Sequence, residues 1–276
     1  MLTYVEAISL AGDRGKQNDD AVGYAHQRGW VIDGATDLHD KPLTGWPSDA
    51  AWIAHCANAS FHANAHFDLH DMLQVAVEAA ITQFKDTAGP GPIEKWQSPI
   101  ASVAMVAETA LGIVGVDLGD CRVFALDADG TVHVAGGPGD AGDNESKLAA
   151  LQTDKEKPLL QRAATIELLR RARSSQNREG SHWTFCLDPE CIQRARAWAL
   201  RLKRPSHVLL MTDGFAALTD RYGAFDQGGL VQAALDKGLQ ELGRELRMIE
   251  HHDAGGDRHP RFKKSDDATA LLLRLT

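Results

Sequence analysis

Five places along this 276-residue chain put aspartate where a short apolar stretch begins or ends. Asp19-Asp20 precedes Ala21-Val22, and Asp33-Gly34 follows Trp30-Val31-Ile32. Gly119-Asp120 precedes Arg122-Val123-Phe124, Asp213-Gly214 follows Val208-Leu209-Leu210-Met211, and Asp266-Asp267 precedes Ala268. Such stretches have the length and residue types of strands. A strand end anchored in a core is a stiff mount for a side chain, and a glycine after aspartate lets the backbone turn sharply beside it. One aspartate in such a place is ordinarily a turn residue or a helix cap. Five gathered at one edge would repel each other, and at least one would have its pKa raised unless a cation sat among them. Mg²⁺ and Mn²⁺, hard ions that prefer oxygen, meet that need. Two such ions ~3.5–4 Å apart can bind phosphate oxygens, acidify a bridging water and stabilise in-line displacement.

The same residues carry a family resemblance. The series Asn18-Asp19-Asp20-Ala21, Val31-Ile32-Asp33-Gly34, Gly119-Asp120-Cys121-Arg122, Thr212-Asp213-Gly214-Phe215 and Asp266-Asp267-Ala268-Thr269 resembles the motifs of the metal-dependent type 2C protein phosphatases of bacteria. It runs from Gly12 to Leu275; each motif alone is weak, and the five in family order are a strong signal. The resemblance implies an α+β fold, a four-layer α-β-β-α sandwich of two mainly antiparallel sheets flanked by helices. It implies one domain over residues 1–276, with a variable flap around 136–204. The implied activity is hydrolysis of phosphoserine or phosphothreonine in a protein, with two or three Mg²⁺ or Mn²⁺ ions per chain. Asp33 would bridge two ions and the Gly34 carbonyl would hold one of them. Asp213 and Asp266 would complete the second site, assisted by Asp19 and Asp20, and Asp120 with Asp213 would hold a weaker third ion. Asp33 and Asp213 are the catalytic candidates, with a bridging water as nucleophile and no phosphoenzyme. A phosphorylated protein is the implied substrate, a cognate protein kinase a candidate partner, and cytoplasmic signalling the setting.

Three positions depart from that pattern. Ala35 stands where the family often has a histidine proposed as general acid, which leaves leaving-group protonation to another group. The family places a phosphate-gripping arginine shortly before the first acidic pair. Arg14 and Lys16 bracket that position, and Arg14 is favoured because a planar guanidinium suits phosphate better than a point charge. Asp19 stands where glutamate is common and reaches one methylene less far. A catalytically inactive sensor or scaffold with the same fold is the alternative that these departures motivate.

The elements that must position the aspartates follow from pattern. Strands are expected at 5–10, 21–25, 30–32, 102–107, 110–116, 122–127, 131–135, 207–211 and 269–275, with a hairpin turn at Asp127-Ala128-Asp129-Gly130. Helices are expected at 48–64, 70–84, 159–173, 189–202 and 229–250. Residues 86–99 and 251–265 read as loops, and 136–158 as a polar, Gly-rich excursion. Strands first and helices in blocks favour α+β over a doubly wound parallel sheet.

Composition narrows the rest. The net charge of −9 argues against nucleic acid or an anionic membrane as partner. Four scattered cysteines, Cys56, Cys121, Cys186 and Cys191, form neither a zinc pattern nor a disulfide framework, so a reducing cytoplasm is expected. Met1 to Glu6 lacks the basic-then-apolar order of a signal peptide. The apolar region 101–116 is interrupted by Ser102, Glu108 and Thr109 and reads as two strands, not a membrane span. His62, His66 and His70 recur at zinc-like spacing, but no glutamate follows His62 as a metalloprotease helix requires, and a polar helix face is the simpler reading. The basic run 258–264 could attract an acidic phosphopeptide, though such a run is usually a solvated loop.

Overall fold

The computed structural model describes residues 1–89, 91–137, 149–150, 152 and 157–276. The 136–158 excursion thus lies largely outside the described residues. In chain order the strands are β1 (Leu2–Leu10), β2 (Asp20–Ala25), β3 (Arg28–Gly34), β4 (Ile100–Thr109), β5 (Gly112–Leu118), β6 (Arg122–Leu126), β7 (Val132–Gly136), β8 (Phe185–Cys186), β9 (Arg196–Arg201), β10 (Ser206–Met211) and β11 (Ala268–Leu275). The α-helices are α1 (Asp49–Ala63), α2 (Leu69–Thr87), α3 (Ala163–Ser175), α4 (Glu190–Gln193), α5 (Asp213–Asp220), α6 (Gln227–Lys237) and α7 (Leu239–His252).

One sheet has the order β1-β11-β10-β6-β7, the other β2-β3-β4-β5-β9 with β8 added beside β4, and every pairing is antiparallel. Side chains alternate across each strand, and three cores result. Trp30 and Ile32 of β3 face α1 and α2, meeting Ile53, Phe61, Met72 and Leu73. Val31, between them, faces the other sheet with Ala104, Val123, Leu210 and Leu271. Leu209, Met211 and Leu272 look outward to Phe215 of α5, Leu230 of α6 and Leu242 and Leu246 of α7. Helices, sheet, sheet, helices: the four-layer expectation holds, and both sheets read as apolar runs because both faces are covered.

Two expected helices are corrected. Residues 189–202 form only the single turn α4 before β9. The Ala, Leu and Arg content there has high helix propensity, but tertiary pairing overrides it. β9 zips onto β5 from Gly112↔Arg201 to Asp117↔Arg196, and Trp198 and Leu200 turn inward to the core between the sheets. The long helix expected over 229–250 is two, α6 and α7, broken at Gly238 with φ of 82°. A carboxylate from β1 caps the second: Glu6 accepts from the backbone N–H of Leu239 at 2.9 Å and of Gln240 at 3.4 Å. The helix α5, which starts at Asp213 itself, was not foreseen.

Candidate active site

Register brings the aspartates to one end of the sandwich. In the second sheet Asp20 at the start of β2 lies opposite Asp33 near the end of β3, and Asp33 lies opposite Ser102 near the start of β4. In the first sheet Met211, ending β10, lies opposite both Arg122, opening β6, and Ala270, near the start of β11. Asp120, Asp213 and Asp266 therefore leave that sheet at one edge. Two hydroxyls tie the sheets together there. Thr212 Oγ1 donates to Asp20 Oδ2 at 2.9 Å and accepts from the Thr269 N–H at 2.9 Å. Ser102 Oγ donates to Asp120 Oδ1 at 2.7 Å.

Close backbone approach completes the frame. A Cβ on Gly34 would lie 2.4 Å from the Ala50 carbonyl oxygen, and one on Gly214 only 1.9 Å from that of Asp267. Asp267 is a brace: its two oxygens accept from the N–H of Gly12 at 2.7 Å and of Asp19 at 2.6 Å, pinning the 11–19 loop to β11. Arg247 of α7 donates to the carbonyls of Leu10, Ala11 and Asp266, fixing the backbone that carries Asp266.

The cleft so formed holds ~250 Å³ and is lined by Asp33, Gly34, Asp120, Asp213 and Asp266. Burial pushes the Asp33 carboxyl well above its ordinary range, and Asp213, Asp20, Asp120 and Asp266 push it further. Burial raises Asp20 likewise, with Asp267 and Asp266 adding to it against the Thr269 and Thr212 hydroxyls. Asp19 rises to about 6, mainly by burial, opposed by the Ser48 hydroxyl at 2.6 Å and by Lys263. Asp266 goes the other way: burial would raise it, but Lys263, whose Nζ donates to Asp266 Oδ1 at 2.7 Å, and Arg221 lower it. Of the expected ligands, Asp20, Asp33, Gly34, Asp120, Asp213 and Asp266 thus converge, and Asp19 stands beside them. Arg14 does not: it is exposed and is not part of the cleft lining.

Sequence reasoning missed four cations lining this cleft: Arg173, Arg221, Arg261 and Lys263. Only the basic run at 258–264 hinted at two of them.

A second cluster contrasts with the cleft. Carboxylate and ring atoms of Asp37, His39 and Asp49 lie within 4.8 Å of one another. Their capacity is already used: Asp49 accepts from the N–H of Leu43 and Thr44 and from the Thr44 hydroxyl, and Asp37 accepts from the N–H of Asp49 and Ala50. This is the anchor of the α1 N-terminus, where carboxylates are favoured. His62, His66 and His70 are exposed and spread over the end of α1, the turn after it and α2.

The sequence matches the family model for protein phosphatase 2C over residues 12–247. The chain belongs to the protein phosphatase 2C family. No curated protein sequence matches it. Among solved structures, it is similar to the PPM Ser-Thr phosphatase MsPP from Mycobacterium smegmatis, in complex with cacodylate, at 17% identity and TM-score 0.55 over 99% of this chain and 100% of that one. It is similar also to the Mycobacterium tuberculosis serine/threonine phosphatase PstP, at 16% identity and TM-score 0.56 over 99% and 98% of the two chains. The catalytic domain of PstP in complex with two manganese ions aligns at 16% identity and TM-score 0.54, covering 99% of each chain. At these identities the likeness is one of fold. No helix among the described residues is long and apolar enough to cross a membrane.

Proposed function

We propose that this chain is a metal-dependent phosphomonoesterase acting on phosphoserine or phosphothreonine of a protein substrate, in the cytoplasm and opposite a protein kinase. The observation that carries the reading is the convergence of Asp33, Asp120, Asp213 and Asp266 on one cleft, with Asp20 opposite Asp33 in the sheet register, where burial and nearby carboxylates push the Asp33 and Asp20 carboxyls well above their ordinary range. The donor set fits hard divalent cations. Asp20 Oδ1 is buried without a hydrogen-bond donor, the state of a carboxylate oxygen that awaits a cation. Asp20, Asp33, the Gly34 carbonyl, Asp213 and Asp266 would hold the principal ions, Asp120 a further one, with Asp19 assisting. Such ions supply charge neutralisation for phosphoryl oxygens and acidify water at neutral pH. The manganese in PstP supports this reading.

The chain's own residues do the rest. Thr212 orients Asp20, Ser102 orients Asp120, and Lys263 keeps Asp266 ionised in the cleft. Residues 1–276 act as one domain, with 136–204 contributing to the cleft wall through Leu159, Leu169 and Arg173. Purified protein should release phosphate from p-nitrophenyl phosphate and from a phosphothreonine peptide with Mn²⁺, EDTA should stop it, and Asp33→Asn and Asp213→Asn should each lose nearly all rate. Unchanged turnover in either variant would defeat the mechanism. A second reading, a partner-binding domain without turnover, is favoured by Ala35 in the cleft and by the exposure of Arg14. Calorimetry that shows Mn²⁺ binding to a protein inert in the assay would establish it.

A further inference from the structure

The four cations of the cleft are not equally committed. Lys263 is paired with Asp266. Arg261 uses Nε, Nη1 and Nη2 on Asp253 and on the carbonyls of Glu250, Asp253, His259 and Lys264. Arg221 lies beside Asp266 and lowers its pKa. Arg173 differs. It enters from the last turn of α3, and its side chain makes one hydrogen bond, Nη2 to the Thr36 carbonyl at 3.2 Å. It forms no ion pair with any described residue, and Asp37 is the carboxylate that acts on it electrostatically. A guanidinium carries five N–H donors, so most of its fork is unspent.

That is a costly arrangement for the fold. Burial pushes the Arg173 guanidinium down to about 10, with Asp37 only partly offsetting it. A half-buried cation with unspent donors facing a cleft is complementary to an anion that is not part of the chain. Thr36, its bonded neighbour, sits three residues after Asp33 and lines the same cleft, so the fork lies on the wall that carries the aspartates.

We infer that Arg173 is the residue that grips the phosphoryl oxygens of the substrate. The inference rests on the phosphatase reading above and deepens it. It moves the anion grip from the loop before Asp19, where Arg14 is exposed, to a helix of the 136–204 segment. A planar fork can take two oxygens of a tetrahedral phosphate at once, which a lysine at this place could not do.

The test measures inorganic phosphate binding by calorimetry on the Mn²⁺-loaded protein, alongside KM and kcat for p-nitrophenyl phosphate. Arg173→Met weakens phosphate binding ~10–100-fold, the loss of one or two charge-assisted hydrogen bonds, and raises KM by a similar factor. Its Mn²⁺ affinity stays at the parent value, which a collapse of the cleft would not allow. Arg173→Lys, which keeps the charge and loses the fork, shows a smaller loss of the same kind and serves if the methionine variant does not fold. Arg14→Met is the rival. Phosphate affinity unchanged in both Arg173 variants, or lost in Arg14→Met instead, overturns the inference. A parent protein that neither binds phosphate nor hydrolyses the ester defeats the phosphatase reading itself, a result distinguishable from either.

Discussion

Replacing Arg261 by methionine removes the hub of the loop that carries Lys263 and Asp266. Arg261 is 6% exposed and its partner Asp253 8%. Nη1 meets Asp253 Oδ2 at 2.8 Å and the His259 carbonyl at 3.0 Å, Nη2 meets the Glu250 carbonyl at 3.2 Å, and Nε meets that of Lys264 at 2.9 Å. Asp253 also accepts from the N–H groups of Asp257, Arg258 and His259, so it cannot leave without unmaking the turn. Removing one partner of a buried ion pair strands the other and costs ~3–5 kcal/mol. At ~2.1 cal/mol/K per residue, the 276-residue chain has a melting entropy of about 0.58 kcal/mol/K. The expected fall in Tm is therefore ~5–9 °C, read by calorimetry in EDTA so that metal binding does not mask it. Arg258→Ala, three residues away and exposed, is the control, with an expected change of about 1 °C or less. An Arg261→Met protein that melts with the parent would refute the idea that this pair organises the loop.

Other outcomes follow from the same contacts. Gly214→Ala would drive a Cβ into the Asp267 carbonyl. It should cost ~1–3 kcal/mol as overpacking and weaken Mn²⁺ binding, seen in a denaturant melt and a metal titration. Thr212→Val leaves the buried Thr269 N–H without its acceptor and frees Asp20 Oδ2; a loss of ~1–3 kcal/mol, or ~2–5 °C, is expected by calorimetry. In EDTA, stability should decline as pH rises. Asp19 moves from its ordinary 3.8 to about 6 on folding, and Asp20 and Asp33 are raised as well. Groups with raised folded pKa stabilise fully below the unfolded value and lose that contribution as pH climbs through the folded one. Melts between pH 4 and 8 should show the decline, and saturating Mn²⁺ should abolish it; a flat metal-free profile would contradict the account.

The aspartates were legible because a side chain at the end of an apolar strand is fixed by chain connectivity alone. Antiparallel register then does the gathering, and the alternation in Trp30-Val31-Ile32 already divides the core into two faces. What could not be read depends on contacts between distant segments. β9 carries helix-forming residues, and only its place at the edge of β5 makes it a strand. Gly238 breaks an otherwise continuous amphipathic pattern because Glu6, more than two hundred residues away, caps the helix that restarts there. The basic run at 258–264 mixes roles that composition cannot separate: Arg261 is a buried hub and Lys263 a partner of Asp266, while Arg258 and Lys264 are exposed. Arg173 lay in a segment without visible motifs, and only the packing of α3 against the Thr36 stretch brings it to the cleft.

A crystal grown with Mn²⁺ and measured at the manganese absorption edge tests the central claim most directly. Anomalous peaks should lie among Asp20, Asp33, Asp213 and Asp266, and they should vanish in Asp33→Asn. Peaks confined to the Asp37, His39 and Asp49 cluster, or none in the cleft at saturating Mn²⁺, would contradict it.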